Sequence, residues 1–415
     1  MTNDSSGNAT KNSIGWSKVW RSWPMWLFVG IALIVGLFVI PFPREETPKP
    51  ATETTPGVAT PLQEKTTAVT AETQNIEKPN TSLPATSSTE TGCGPGLGGS
   101  KNATPTEYAL LSKMADSSGI NPRQNLVKNL LASTNSKTRA AGLFLDATSV
   151  FPEVLSCSGD ECLNAEKKHN QEKSASIAQL ATLARDSSSA EIYAWADAAC
   201  NLAATKSTAP AACTSLSAER WAQLAPDSAW PWLLSASEAK QRGDLSGQET
   251  AMFRASLARD WTSSSGTLLS LMASNLPVEV QGLPRLQVLG VEGSNATGLL
   301  SLPAMGASAY CSSDQDANKR QLCAQLADHM LSSADNLLQL SLGIRIGERS
   351  GLPEAQLAAA REDRDKLTTA TQTINSIEFA DMSKNCNGLT NQLRHLQRRV
   401  EIGELAALRE HLRSK

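Results

Sequence analysis

Hydrophobic positions change their pattern twice along this chain. From Trp23 to Phe42 the run WPMWLFVGIALIVGLFVIPF is twenty residues without a charge. At about 1.5 Å per residue a helix of this length spans roughly 30 Å, the hydrocarbon thickness of a bilayer. Trp16, Trp20, Trp23 and Trp26 crowd its N-terminal edge, and Pro41 and Pro43 close the other end. That belt of amphipathic rings predicts a single transmembrane helix over 23–42. The run is too long for a signal-peptide core and no small-x-small site precedes Arg44, so it reads as a retained anchor. Residues 44–104 then hold fourteen Thr and seven Pro with no Phe, Tyr or Trp. Such a stretch cannot bury enough apolar surface to offset its ordering entropy, so 43–104 is expected to be a disordered linker.

From about residue 105 apolar positions recur at helical spacing, interrupted every ten to twenty residues by stop signals and not by strand-like alternation. Asn121 before Pro122 is a capping residue followed by proline at the first helical position, with Leu126, Leu130 and Leu131 on one face. Asp227 is expected to start a helix DSAWPWLLSASEAKQR, with a turn at Gly243-Asp244. A second helix should follow through Met252, Phe253 and Leu257 to Arg259. The run RGD at Arg242 to Asp244 is then a helix–turn–helix corner and not an adhesion motif. Pro277, Pro284 and Pro303 among several glycines predict a long irregular insertion at 275–310, with a possible hairpin near Leu286 to Leu289. Helices are expected again over Lys319–Leu340, after Pro353 with Leu367, Ala370, Ile374 and Ile377 in a stripe, and over Leu389–Leu412. The fold class expected is all-α: a helical-repeat superhelix at 105–415 behind a stub at 1–22, the anchor and the linker.

Three copies of L-A-[RP]-D carry the internal repeat: Leu183–Asp186, Leu224–Asp227 and Leu257–Asp260. Their spacings, 41 and 33, approach the period of helix–turn–helix repeats if Lys206–Ala212 is an inserted loop. Over residues 175 to 262 the chain resembles tetratricopeptide-like and Sel1-like α-α repeat proteins. The segment LAPDSAWPWLLSASEAKQRGDLSGQETAMFRASLA is similar to repeats in membrane-anchored bacterial proteins. The resemblance implies a Gram-negative inner membrane and a binding or scaffolding role, and it carries over no functional residue.

All eight cysteines, Cys93, Cys157, Cys162, Cys200, Cys213, Cys311, Cys323 and Cys386, lie beyond the apolar span. That distribution suits an oxidising compartment. Lys11, Lys18 and Arg21 before the span give the same orientation, with the N-terminus in the cytoplasm and the C-terminal domain in the periplasm. Cys200 with Cys213, Cys311 with Cys323, and Cys157 with Cys162 are close enough in sequence to form local clips, leaving Cys93 and Cys386 for each other or for a partner. A zinc site on Cys157, Cys162 and His169 lacks a nearby fourth ligand. The absence of a C-x-x-C motif removes the thiol oxidoreductases.

Chemistry is otherwise thinly marked, and no catalytic, cofactor or metal residue is assigned. Gly94, Gly96 and Gly99 satisfy G-x-G-x-x-G, but no strand precedes them and Pro95 sits between, so they read as a joint. His395 and His411 read as solvated helix-face residues, as do Asp160 with Glu161 and the mixed group Arg361 to Lys366. Residues 394–415 carry six basic against three acidic side chains, a net +3 in a chain of net −3. This end is expected to cap the array by folding back on an acidic body, with self-association through Leu389, Leu393, Leu396 and Val400 as the minor alternative. Nucleic acid is excluded by topology. Two function classes remain: an envelope scaffold with protein partners, and an envelope polymer-acting enzyme with a carboxylate site in 275–310.

Overall fold

The computed structural model describes residues 122–148, 160–205, 209–312, 316–375 and 387–414, all within one packing unit. The stub, anchor and linker, Asn121, the Gly94–Gly99 joint, Cys93, Cys157 and Cys386, and the Cys162 side chain lie outside the described residues. Among the described residues there are fifteen α-helices and one short 3-10 helix, Ala211–Ser215, and no strand. No helix among them is long and apolar enough to cross a membrane.

The helices start where short polar side chains can accept from the first free backbone N–H groups. α1 is Pro122–Leu131 and α2 is Ser136–Ala147, entered by Asn135, whose Oδ1 accepts from Thr138 N at 3.0 Å. α3 (Asp160–Asp186), α4 (Ala190–Thr205) and α5 (Ala218–Leu224) follow. α6 (Trp230–Gln241) and α7 (Leu245–Leu257) form the hairpin expected around Gly243, whose φ of 74° is the left-handed turn only glycine adopts freely. Asp244 caps α7 through Gly247 N at 2.8 Å. α6 itself begins at Trp230 and not at Asp227. The Asp227 carbonyl accepts from Arg259 N at 3.0 Å and Asp260 N at 2.9 Å, so the second and third L-A-x-D copies zip the base of the hairpin together.

Residues 275–310 are not an irregular insertion. They fold as α9 (Gly282–Leu300) and α10 (Leu302–Tyr310), reached from α8 (Ser265–Asn275) by a short connector. Pro284 and Pro303 sit in first turns, where a missing N–H is harmless. Gly293 is inside α9, where an added Cβ would come within 3.1 Å of Leu269, so the glycine sets the close approach of α9 to α8. The expected helix 319–340 is two, α11 (Ala317–Ser333) and α12 (Leu337–Ser350), because Asn336 accepts from Gln339 N at 2.9 Å and starts a new helix. α13 is Glu354–Asn375. The expected last helix is likewise two, α14 (Asn387–Ile402) and α15 (Glu404–Arg413), broken at Gly403 with φ 87°.

Antiparallel neighbours α1–α2, α6–α7 and α11–α12 pack as pairs. A solenoid whose units touch only their neighbours would stop there. Here α8 also packs against α1 and α2, α9 against α1, and both against α14, so a central pair joins the two ends of the described chain. Arg123 makes this explicit: its Nε donates to Glu292 of α9 at 2.7 Å and its guanidinium also donates to the Leu145 carbonyl at 2.6 Å. One core cluster accordingly runs from Leu126 to Leu396. A second, smaller one gathers Leu340, Ile344, Leu367, Ala370, Leu405 and Leu408 under α12, α13 and α15. Between them, Asp335 accepts from Ser263 N at 2.7 Å and Glu404 accepts from Leu337 N at 3.1 Å, so three inter-helix connections share one polar junction.

Close helix contact makes one substitution diagnostic. A Cβ at Gly142 would stand 2.9 Å from both Leu130 Cβ and Leu131 N, and the second of these is backbone that cannot swing away. In an exposed helix Gly→Ala stabilises by roughly 1 kcal/mol. Gly142→Ala is expected to have the opposite sign, a loss of roughly 1–3 kcal/mol as α1 is pushed off α2. The urea midpoint of the variant measures it; a gain in stability would contradict the packing.

Candidate functional site

α6 and α7 bury one side of their hairpin through Trp230, Leu233, Leu234, Ala251, Met252 and Ala255. The pattern that buries Met252 turns its neighbours outward. Phe253 is 54% exposed, Leu257 62% and Leu245 70%, three of the largest exposed apolar side chains in the described molecule, all on α7. Sequence reading placed Phe253 and Leu257 in the hairpin without distinguishing their face from that of Met252. On the flank of the same face the Arg254 guanidinium lies over the Trp232 ring, 4.7 Å from its centroid. A guanidinium over a ring face can still donate its N–H groups to another group.

A buried carboxylate that sequence reading missed lies within electrostatic reach of this hairpin. Asp197 is on α4, buried, with Asn201 Nδ2 donating to its Oδ2 at 2.8 Å. Burial, and then the nearby Glu238 of α6, raise its pKa to about 7. Glu238 is raised as well, by burial first and by Glu219 second. The available signal was a lone charge in the apolar helix AEIYAWADAACNLAAT. General acid–base work needs such a group to reach substrate. An open depression of about 660 Å³ on the described surface is lined by Ala358, Arg361, Glu362, Asp365, Lys366, Thr369 and Leu412, and Asp197 is not part of it. Its charges are paired along the surface: Lys366 with Glu362 at 2.6 Å and Arg361 with Glu354 at 2.7 Å.

The carboxylate site expected in 275–310 is not assembled there. Glu292, in that stretch, is the structural partner of Arg123. His395 and His411 are half-buried and not on a freely solvated face. Their rings meet edge to face with centroids 6.1 Å apart where α14 joins α15, and burial followed by Arg399 lowers the His395 pKa to about 4. The basic end does fold back, with Arg409 of α15 on Asp363 of α13 at 2.8 Å. Leu396 is buried in the main core and so is not a free coiled-coil face. Among the described residues no group of three or more His, Cys, Asp or Glu is placed to hold a metal ion.

Two cysteine pairs are brought together as disulfides. Cys200 joins Cys213 with Cα atoms 5.7 Å apart, and Cys311 joins Cys323 at 5.8 Å. The first ties α4 to the 3-10 helix, where Ser217 N also donates to the Tyr193 hydroxyl at 2.6 Å. The second ties the end of α10 to α11. Cys93, Cys157, Cys162 and Cys386 lie outside what the structure describes. Compared with protein families, curated proteins and solved structures, the chain matches none.

Proposed function

We propose that this chain is a membrane-anchored periplasmic helical-repeat protein that serves as a protein–protein interaction module of the cell envelope. The observation that carries the reading is the outward face of α7, where Phe253 and Leu257 stay exposed one turn apart on a helix whose other side is packed, with Leu245 also exposed at its N-terminal end. Isolated exposed apolar side chains are ordinary, but two large ones one turn apart on a single helix face mark a surface suited to another protein. Paired antiparallel helices and two disulfides give that face a rigid support, in keeping with the tetratricopeptide-like resemblance. The apolar span 23–42 and the position of every cysteine beyond it support the envelope address.

The rival reading, an envelope polymer-acting enzyme, draws on Asp197, a buried carboxylate whose pKa is raised to about 7. Asp197 is buried and does not line the open depression.

A photo-reactive side chain at position 253 of the full chain, irradiated in its native membrane, tests the interaction reading. A small reproducible set of adducts is expected at 253, lost on adding Leu257→Asp and absent from the same label at Lys240, an exposed position on α6. Equal labelling from 253 and 240 would remove the observation on which the proposal stands.

A further inference from the structure

The exposed arc of α7 has a regular order. Thr250, Phe253 and Leu257 follow one another at 3–4 spacing along its centre and all are exposed, while Gln248, Ala251, Met252 and Ala255 are buried on the opposite side. Glu249 and Arg254 flank the centre line on opposite sides, five residues apart. In a parallel pair of helices with a 3–4 apolar seam, the flanking residue of one helix meets the residue five further along on the other. Glu249 is exposed; its charge acts on the Tyr310 hydroxyl of α10, and no guanidinium or ammonium among the described residues forms an ion pair with it. The Arg254 guanidinium is held over the Trp232 ring at the other flank. A parallel two-fold contact would therefore bring each unpaired carboxylate to an already positioned guanidinium twice over, and would cover Phe253 and Leu257 with their own copies.

We infer that α7 is a self-association face: two copies of this chain pair their α7 helices in parallel, with Phe253 and Leu257 forming the seam and each Glu249 meeting the partner subunit's Arg254. The inference rests on the interaction reading above and names its partner as a second copy. A seam of one 13-residue helix buries less than the ~1,200 Å² of a stable interface, so the pairing is weak in free solution. Tethering both copies to one membrane raises their effective concentration and strengthens it.

Charge reversal supplies the test. The full chain in detergent micelles is followed by sedimentation equilibrium over a range of concentrations, beside Glu249→Arg, Arg254→Glu and the two combined. Reversal at either site is expected to weaken association by roughly tenfold or more, since it sets like charges together, and the combined change to restore it. Circular dichroism melts check that the variants stay folded. Because the apolar span can itself associate, restoration by the combined variant is the decisive readout. A photo-reactive side chain at Thr250 should give an adduct of twice the chain mass. A monomer at every concentration, or single variants that associate like the parent, would overturn the inference. An adduct at Thr250 with some other envelope protein, and none of doubled mass, would overturn the second copy as partner while leaving the interaction reading in place. No adduct at all would remove both.

Discussion

Replacing Asp197 by Asn is expected to raise the melting temperature by about 10 °C near pH 8 and to leave it unchanged near pH 4. The folded protein holds a proton on Asp197 up to about pH 7, whereas an ordinary Asp carboxyl gives it up near 3.8. A raised folded-state pKa means that the native state binds more protons than the unfolded chain between those values. Its stabilising effect is full below the lower value and is lost as pH rises through the upper one. At about 1.4 kcal/mol for each tenfold change in proton affinity, the loss by pH 8 is on the order of 4 kcal/mol. Asn has the shape of the protonated acid and can keep the contact with Asn201, yet never ionises. The parent should therefore show a melting temperature that falls between pH 4 and pH 8, and the variant a flatter profile. Equal pH dependence in the two proteins would mean that Asp197 reaches water. The same variant bears on the rival enzyme reading, since a catalytic carboxyl converted to an amide would abolish activity as it stabilises the fold.

Much of the helical architecture was legible because its punctuation is local. Gly243 with Asp244 announces a hairpin by left-handed conformation and capping, and that hairpin is present. Cysteines 13 and 12 residues apart bridge single turns, as chain proximity favours. The errors at 275–310 came from weighing proline and glycine as breakers without regard to position. Pro284 and Pro303 are helix starters, and Gly293 lies where two helices touch. Asn336 and Gly403 are the reverse case: both carry a stop signal that was passed over in favour of longer helices. What was not legible is long-range. Nothing in the periodicity of α1 says that Arg123 will meet Glu292 across the body, and nothing in α4 says which carboxylate will face Asp197. The candidate face of α7 stands between these cases. Met252 and Phe253 are adjacent apolar residues, and only the packing of α6 and α11 decides which one is buried and which is left for a partner.

Removing both described disulfides is expected to bring the domain to the edge of unfolding. Each closes a short loop, of separation 13 for Cys200–Cys213 and 12 for Cys311–Cys323. The chain-entropy model assigns roughly 3 kcal/mol to a loop of that length. Together they account for about 6 kcal/mol of a total that in most domains is only about 5–15. The second bond has a local consequence too. α10 has nine residues, too few to persist alone, and it depends on Ala304, Ala307 and Tyr310 in the core and on the tie from Cys311 to α11. Cys311→Ala with Cys323→Ala should lower the urea midpoint and make the α10 amides the first to lose hydrogen-exchange protection. Cys200→Ala with Cys213→Ala should lower the midpoint by a similar amount but loosen the segment between α4 and α5 instead. Distant bridges act independently, so the fourfold variant should lose the sum. Unchanged midpoints in both pair variants would show that packing alone holds these helices. A fourfold variant that unfolds would mean that the domain is stable only where its thiols are oxidised, which is where the proposed anchor places it.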